Sequence, residues 1–293
     1  MTLLDPLLPL RLEPATPRSA QRPRLLYDWL LVAGLVFVYA VLQSAFVHHP
    51  IMSDQLHYLV DANTLPDISF PPHHGLRIGL TIPVWFFIQL FDYSEAAYYA
   101  VPYLTMVGLV VAVYWLGRLL DSRAAGVISG VLLVANPLVL DEASQLLPDL
   151  PAAALLTGAV TLLLWQWRRA RVTTTLTRGD RVVLVSIGLL LGWAYLIREF
   201  IVVWFPVALV VAVVLRVPRS WWRLIAAGAG AMVALELLWG LVFFGNPFAR
   251  IWAALHQPAS EPWRVVQREE LIAAGEIPNT HLDMLTAMPR NIW

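Results

Sequence analysis

IGLTIPVWFFIQLF, Ile78 to Phe91, is an uncharged run of fourteen residues that follows the pair Pro71-Pro72 and contains Pro83. Whether it crosses a bilayer decides how the whole chain is threaded. A spanning helix needs roughly 20 apolar residues, and runs of about 10–14 belong to the class that lies in the interface or re-enters. Seven other apolar runs are long enough, or nearly so, to cross: Trp29–Val47, Ala96–Gly117, Ala124–Leu140, Leu150–Trp167, Val182–Ile197, Phe200–Leu215 and Leu224–Phe244. If Ile78–Phe91 also crossed, every later loop would change sides, and the basic loop Arg168–Arg181 would face out. If it does not, fourteen of the 20 cationic residues share the cytoplasmic side: Arg11, Arg18, Arg22, Arg24, Arg118, Arg123, Arg168, Arg169, Arg171, Arg178, Arg181, Arg216, Arg219 and Arg223. Cytoplasmic loops collect arginine, so the sequence predicts an all-α, polytopic transmembrane protein with about seven spanning helices. Juxtamembrane helices occupy its first outer loop. The N-terminus is expected in the cytoplasm, the C-terminus outside, and the protein in the cell (plasma) membrane.

Composition supports this reading. Of 293 residues, 59% are hydrophobic and 14% charged, and the mean hydropathy is +0.66. A soluble domain of this length needs more polar surface to enclose one core, so the surplus apolar residues face lipid. The net charge is zero and every cation is an arginine. No basic stripe with interleaved aromatics accompanies them, so nucleic acid is dropped as a partner. The absence of cysteine excludes disulfides, zinc ribbons and thiol catalysis. The first apolar run lacks a small-residue cleavage site after it and reads as a retained helix. The expected divisions are a cytoplasmic segment (1–25), a transmembrane module (26–250) and an extracytoplasmic tail (251–293).

Polar residues then gather on the outer side. SDQLHYLVDA, Ser53 to Ala62, places Asp54, His57, Tyr58 and Asp61 at i, i+3, i+4 and i+7, one face of a short helix, with Leu56, Leu59 and Val60 on another. An amphipathic surface helix with solvated charges and a functional face fit this pattern equally. Asp149, between Pro148 and Pro151, stands where the chain re-enters the membrane, and an acid there is also good helix-dipole chemistry. In LIREFIVVWFP, Arg198 and Glu199 join two runs barely long enough to span. That geometry holds a guanidinium just below the interface, where it needs an anion: Glu199, or a lipid phosphate. Glu236 sits in the middle of the last span with no obvious partner nearby in sequence, and a buried structural role fits it best. His73 and His74 suit hydrogen bonding to phosphate or interfacial packing. No cofactor is expected; a divalent cation would need these histidines with Asp54 or Asp149, a spacing that matches no metal motif.

Four segments carry a resemblance: SDQLHYL, PPHHGLRIGLTIPVWFFIQLF, PLVLDEASQLLPDLPAAALL and GLLLGWAYLIREFIVVWFP, together covering residues 26 to 250. In order and spacing the chain resembles the GT-C superfamily of polytopic glycosyltransferases, especially the bacterial members related to the protein mannosyltransferases and the aminoarabinose transferase (glycosyltransferase family 39). The resemblance implies a seven-helix module with juxtamembrane helices. It also implies transfer of a sugar from a polyprenyl-phosphate carrier to a lipid, glycan or protein acceptor hydroxyl. Asp54 resembles the catalytic general base and Asp149 the second acid that shapes the site. Arg198 resembles the residue that holds the carrier phosphate, with His73, His74, His57 and Tyr58 as further substrate-binding groups. The chain departs from the family in carrying Asp54-Gln55 where many relatives have Asp-Glu, and in being short, which leaves room for a partner subunit. Two other classes compete: a lipid or small-solute transporter, with Glu236 as its one supporting residue, and a non-catalytic membrane subunit of a glycosyltransferase complex.

Overall fold

The computed structural model describes residues 18–45, 54–65, 75–170, 176–203 and 217–255, together with Pro206, Val210 and Val213. All regular structure among them is helical: α1 (Arg18–Ala45), α2 (Asp54–Asn63), α3 (Ile78–Phe91), α4 (Glu95–Leu120), α5 (Arg123–Val134), α6 (Pro137–Glu142), α7 (Asp149–Ala170), α8 (Arg178–Ile197), a 3-10 turn (Glu199–Val203), α9 (Arg219–Phe244) and α10 (Ala249–Leu255). Five helices are long and apolar enough to cross a bilayer, namely α1 from Leu25 onward, α4, α7, α8 and α9. Much of their surface is apolar and exposed, including Phe37, Leu104, Val182, Leu238 and Val242, as helices bathed in lipid require. The chain is an all-helical, multi-pass membrane protein.

Local sequence sets the helix ends. Thr177 and Asp180 form a reciprocal capping box at the start of α8, Ser122 caps α5 through the amide of Ala125, and Gly245 closes α9 with a left-handed φ of 63°. The predicted third span, Ala124–Leu140, is not one helix. It divides into α5 and α6 because Pro137 has no N–H to continue the ladder and the Asn136 side chain accepts from the Leu138 amide, starting a new helix. The predicted sixth span, Phe200–Leu215, opens with the 3-10 turn, and most of it lies outside the described residues, as does the tail beyond residue 255.

The bundle has two unlike ends. At the basic end, Asp28 of α1, 1% exposed, is gripped by Arg118 at 2.9 Å, Arg123 at 2.7 Å and the Tyr114 hydroxyl at 2.9 Å. These contacts tie α1 to the end of α4 and the start of α5. Arg118 and Arg123 also lie over the rings of Trp115 and Tyr27. The same end holds the close of α7 and the start of α8, joined by Arg169 and Asp180.

α7 packs between α4 and α8, and α9 packs on α8. A Cβ on Gly188 would stand 2.0 Å from the Ile225 carbonyl oxygen, and one on Gly228 2.2 Å from that of Val185, so only glycine permits this approach. Val185 faces Gly228 and Gly192 faces Met232. Residue numbers climb together along both helices, and α8 and α9 are therefore parallel.

α3 keeps the bounds read from its charge-free run, and it does not cross the bundle. Gly79 is pressed against Leu196 and Ile197 at the close of α8, where a Cβ would come within 2.8 Å. The Trp193 indole donates to the Gly79 carbonyl at 2.8 Å. At its other end a short turn, with Asp92 at φ 57°, leads straight into α4. Both ends of α3 therefore lie at the end of the bundle opposite Asp28. Leu80, Val84 and Ile88 face the core, while Trp85, Phe86 and Leu90 are exposed.

Candidate functional site

α2, α3, α6, the start of α7, the close of α8 and α10 meet at this second end. Arg198 takes an extended backbone (φ −141°, ψ 111°) where α8 stops, so it and Glu199 point in different directions. Arg198 reaches Asp149, the first residue of α7, at 3.2 Å, a pair whose side chains are 30% and 50% exposed. Glu199 turns the other way and bridges Arg77 at 3.2 Å and Arg250 at 2.8 Å. The alternative partner considered for Arg198, Glu199, is thus engaged elsewhere.

Arg77 and Arg250 are both buried, and each is held by more than one group. Arg77 also donates to the Tyr58 hydroxyl. Arg250 donates to Glu236 at 3.0 Å and to the Tyr195 carbonyl at 3.0 Å, with its guanidinium over the Tyr195 ring. Burial alone would raise the Glu199 carboxyl, but the Arg250 hydrogen bond and the charges of Arg77 and Arg250 bring it down to about 2. Sequence reasoning missed Arg77 and Arg250. The isolated Glu236 was the available signal, since a carboxylate buried in a span requires a cation.

The helix predicted at Asp54 forms, but its faces differ from the expected ones. Asp54, His57 and Val60 are exposed, whereas Gln55, Tyr58, Leu59, Asp61 and Ala62 are buried. Tyr58 faces inward because Arg77 satisfies its hydroxyl, and Gln55 because Tyr98 and Gln145 satisfy its amide. Burial pushes the Tyr58 phenol up; Arg77 opposes this, Asp54 adds to it and Arg198 opposes it. Arg77 touches that phenol, and the charges of Asp54 and Arg198 act on it. Asp61 is raised to about 6 by burial, with His57 opposing, and its Oδ2 has no hydrogen-bond partner among the described residues. Glu142 is raised by burial and by Asp149 and Asp141 beside it. His73 and His74 lie outside the described residues. Among the described residues no group of three or more His, Asp or Glu could hold a metal ion.

Beneath these charges lies an apolar crevice of about 500 Å³. α7 forms its back, α4 and α8 its sides and α3 its roof, with Phe87, Leu104, Leu155 and Trp193 on its walls. Leu104 and Trp193 are 57% and 38% exposed, so the crevice reaches the flank of the bundle between α4 and α8. Pro151 and Ile197 also line it. Ile197 precedes Arg198 and Pro151 lies two residues after Asp149, which sets the charged pair close to the crevice. The arrangement suits an amphiphile with an apolar chain and an anionic head.

No protein-family model matches this chain, and no curated protein or solved structure does.

Proposed function

We propose that the protein is a membrane glycosyltransferase of the GT-C type, moving a sugar from a polyprenyl-phosphate carrier to an acceptor hydroxyl on the extracytoplasmic face. The observation that carries this reading is the apolar crevice with Arg198 and Asp149 close to it and Asp54 at the same end of the bundle. The resemblance in the four quoted segments supplies the chemistry.

The membrane arrangement follows from the same reading. α8 and α9 run parallel, which agrees with a further crossing by the span read at Phe200–Leu215; Pro206, Val210 and Val213 in it are helical. With α5 and α6 taken together as one passage, this makes seven crossings. The arginine-rich end is then cytoplasmic by the positive-inside rule, and the end bearing Asp54 is outside.

The carrier chain lies in the crevice and its phosphate meets Arg198, displacing Asp149 from the pair. The acceptor oxygen attacks the anomeric carbon while the bond from that carbon to the phosphate oxygen breaks. The phosphate leaves as an anion held by Arg198. Asp54 takes the hydroxyl proton as the new bond forms, because an alcohol is too weak an acid to ionise beforehand. A transporter draws less support: Glu236, its one candidate, is engaged by Arg250.

The test is transfer of labelled sugar from a panel of polyprenyl-phosphate donors in membranes containing the chain. Asp54→Asn is expected to lower the rate by about 100-fold or more at unchanged expression, the scale of a lost general base. Unchanged transfer would remove Asp54 as the base. Absence of transfer with every donor, alongside co-purification of another membrane protein, would favour the subunit reading.

A further inference from the structure

We infer that Gln55 is a positioning residue whose buried amide fixes the helix bearing Asp54 against the segment bearing Asp149. The inference rests on the reading of Asp54 and Asp149 as site acids. Gln55 follows Asp54 in the chain but turns inward and is 6% exposed. Its Oε1 accepts from the Tyr98 hydroxyl at 2.5 Å, and its Nε2 donates to Gln145 Oε1 at 2.8 Å. The Tyr98 hydroxyl in turn accepts from the Leu146 amide at 3.2 Å, and Gln145 Nε2 donates to the Asp141 carboxylate at 3.0 Å.

A continuous series of polar bonds thus runs from α2 into the 143–148 segment, whose last residue adjoins Asp149. The bonds need a neutral amide at position 55, because that side chain accepts on one side and donates on the other. Glutamate would keep the acceptor for Tyr98 and turn a second oxygen toward Gln145 Oε1. Leucine would lose both bonds and leave the Tyr98 hydroxyl proton and Gln145 Oε1 unmatched.

A second clamp lies three residues on, where Arg77 holds Tyr58. Positions 55 and 58 share one face of α2, so the two clamps together prevent the helix from rolling. Asp54 is exposed at the first turn, and its direction is inherited from them. A displacement of about 1 Å at a reacting group costs on the order of 100-fold in rate. A merely structural role would instead reduce the amount of folded protein while leaving the constants of the survivors intact.

Because the natural chain has no cysteine, Val60→Cys on α2 and Leu138→Cys on α6 provide two sites for spin labels, 41% and 75% exposed. The full chain in nanodiscs is compared with its Gln55→Leu and Gln145→Leu variants, by label-to-label distance and by sugar-transfer kinetics. Both variants are expected to broaden the distance distribution and to lower kcat at least ~10-fold with donor KM within ~2-fold. The double variant should fall short of the sum of the two single effects, since the singles share one broken bond. If Gln55→Leu does not fold, Gln145→Leu carries the test, because it leaves α2 itself unaltered. An unchanged distance distribution in folded Gln145→Leu, or an unchanged kcat, overturns the inference. A broadened distribution in a protein whose parent transfers no sugar supports the clamp and removes the glycosyltransferase reading.

Discussion

The two ends of the bundle use the same residue types in opposite ways. At the basic end the acid is buried and its cations reach outward: Asp28 is 1% exposed, while the side chains of Arg118 and Arg123 are 30% and 36% exposed. At the other end the cations Arg77 and Arg250 are buried and the acid between them, Glu199, is 41% exposed. Beside that network stands a pair, Arg198 and Asp149, whose acid is exposed and whose guanidinium is partly so. A buried acid encircled by arginines and a tyrosine has no vacant face for a ligand, so the Asp28 cluster fastens three helices. A partly exposed guanidinium facing an exposed acid near a crevice can exchange that partner for an incoming anion. The difference lies in which member of each pair meets solvent.

Asp28→Asn should give the largest stability change that tests this contrast. It leaves two guanidinium groups without their counter-charge, and a loss of about 2–3 kcal/mol is expected, below the ~3–5 kcal/mol of a fully buried pair because the arginines can rehydrate. Thermal unfolding in detergent measures it, and the kcat of the proposed sugar transfer should be unaltered in the folded protein. A changed kcat at normal stability would dissolve the distinction between the ends.

Glu199→Gln should cost less, about 1–2 kcal/mol, since solvent already screens this carboxylate. Its carboxyl lies at about 2 in the fold against an ordinary 4.5. The stabilisation is therefore present above about pH 4.5 and lost as pH falls toward about 2. The gap in Tm between parent and variant should close over that window, and a gap independent of pH would show that the charge of Glu199 is not what holds Arg77 and Arg250.

The smallest effect has the opposite sign. Asp61 titrates at about 6 in the fold against an ordinary 3.8, so its ionised form costs stability at neutral pH and the cost fades as pH falls from about 6 to about 4. Asp61→Asn should raise Tm by about 2–4 °C at pH 8, the equivalent of about 1 kcal/mol, and by far less at pH 4. A lower Tm at pH 8 would mean that the carboxylate has a favourable partner.

Where the fold was legible, charge made it so. Arg77 and Asp92 bracket the run Ile78–Phe91 and mark both ends of α3, and its length placed it apart from the spanning helices. The break within Ala124–Leu140 was harder to read because Asn136 and Pro137 are uncharged and the apolar run passes through them. In the candidate site, Asp149 and Arg198 were legible as polar residues at helix ends facing the same side. Glu199 lies 122 residues from Arg77 and 51 from Arg250, and no local pattern links residues so distant. The period of α2 was correct and its buried face was not, since hydrogen bonds with Arg77, Tyr98 and Gln145, rather than apolarity, decide which side turns inward.

The parallel contact between α8 and α9 also constrains the order in which the protein is made. The notch at Gly188 is complete only when Gly228 arrives, and forty residues of synthesis separate the two. Until then the glycine face of α8 lacks its partner, and among the described long helices α8 is held chiefly by α7. The bundle therefore closes late, around a helix delivered after the crevice walls are already inserted, and a nascent chain halted before Gly228 would hold those walls without the brace behind them.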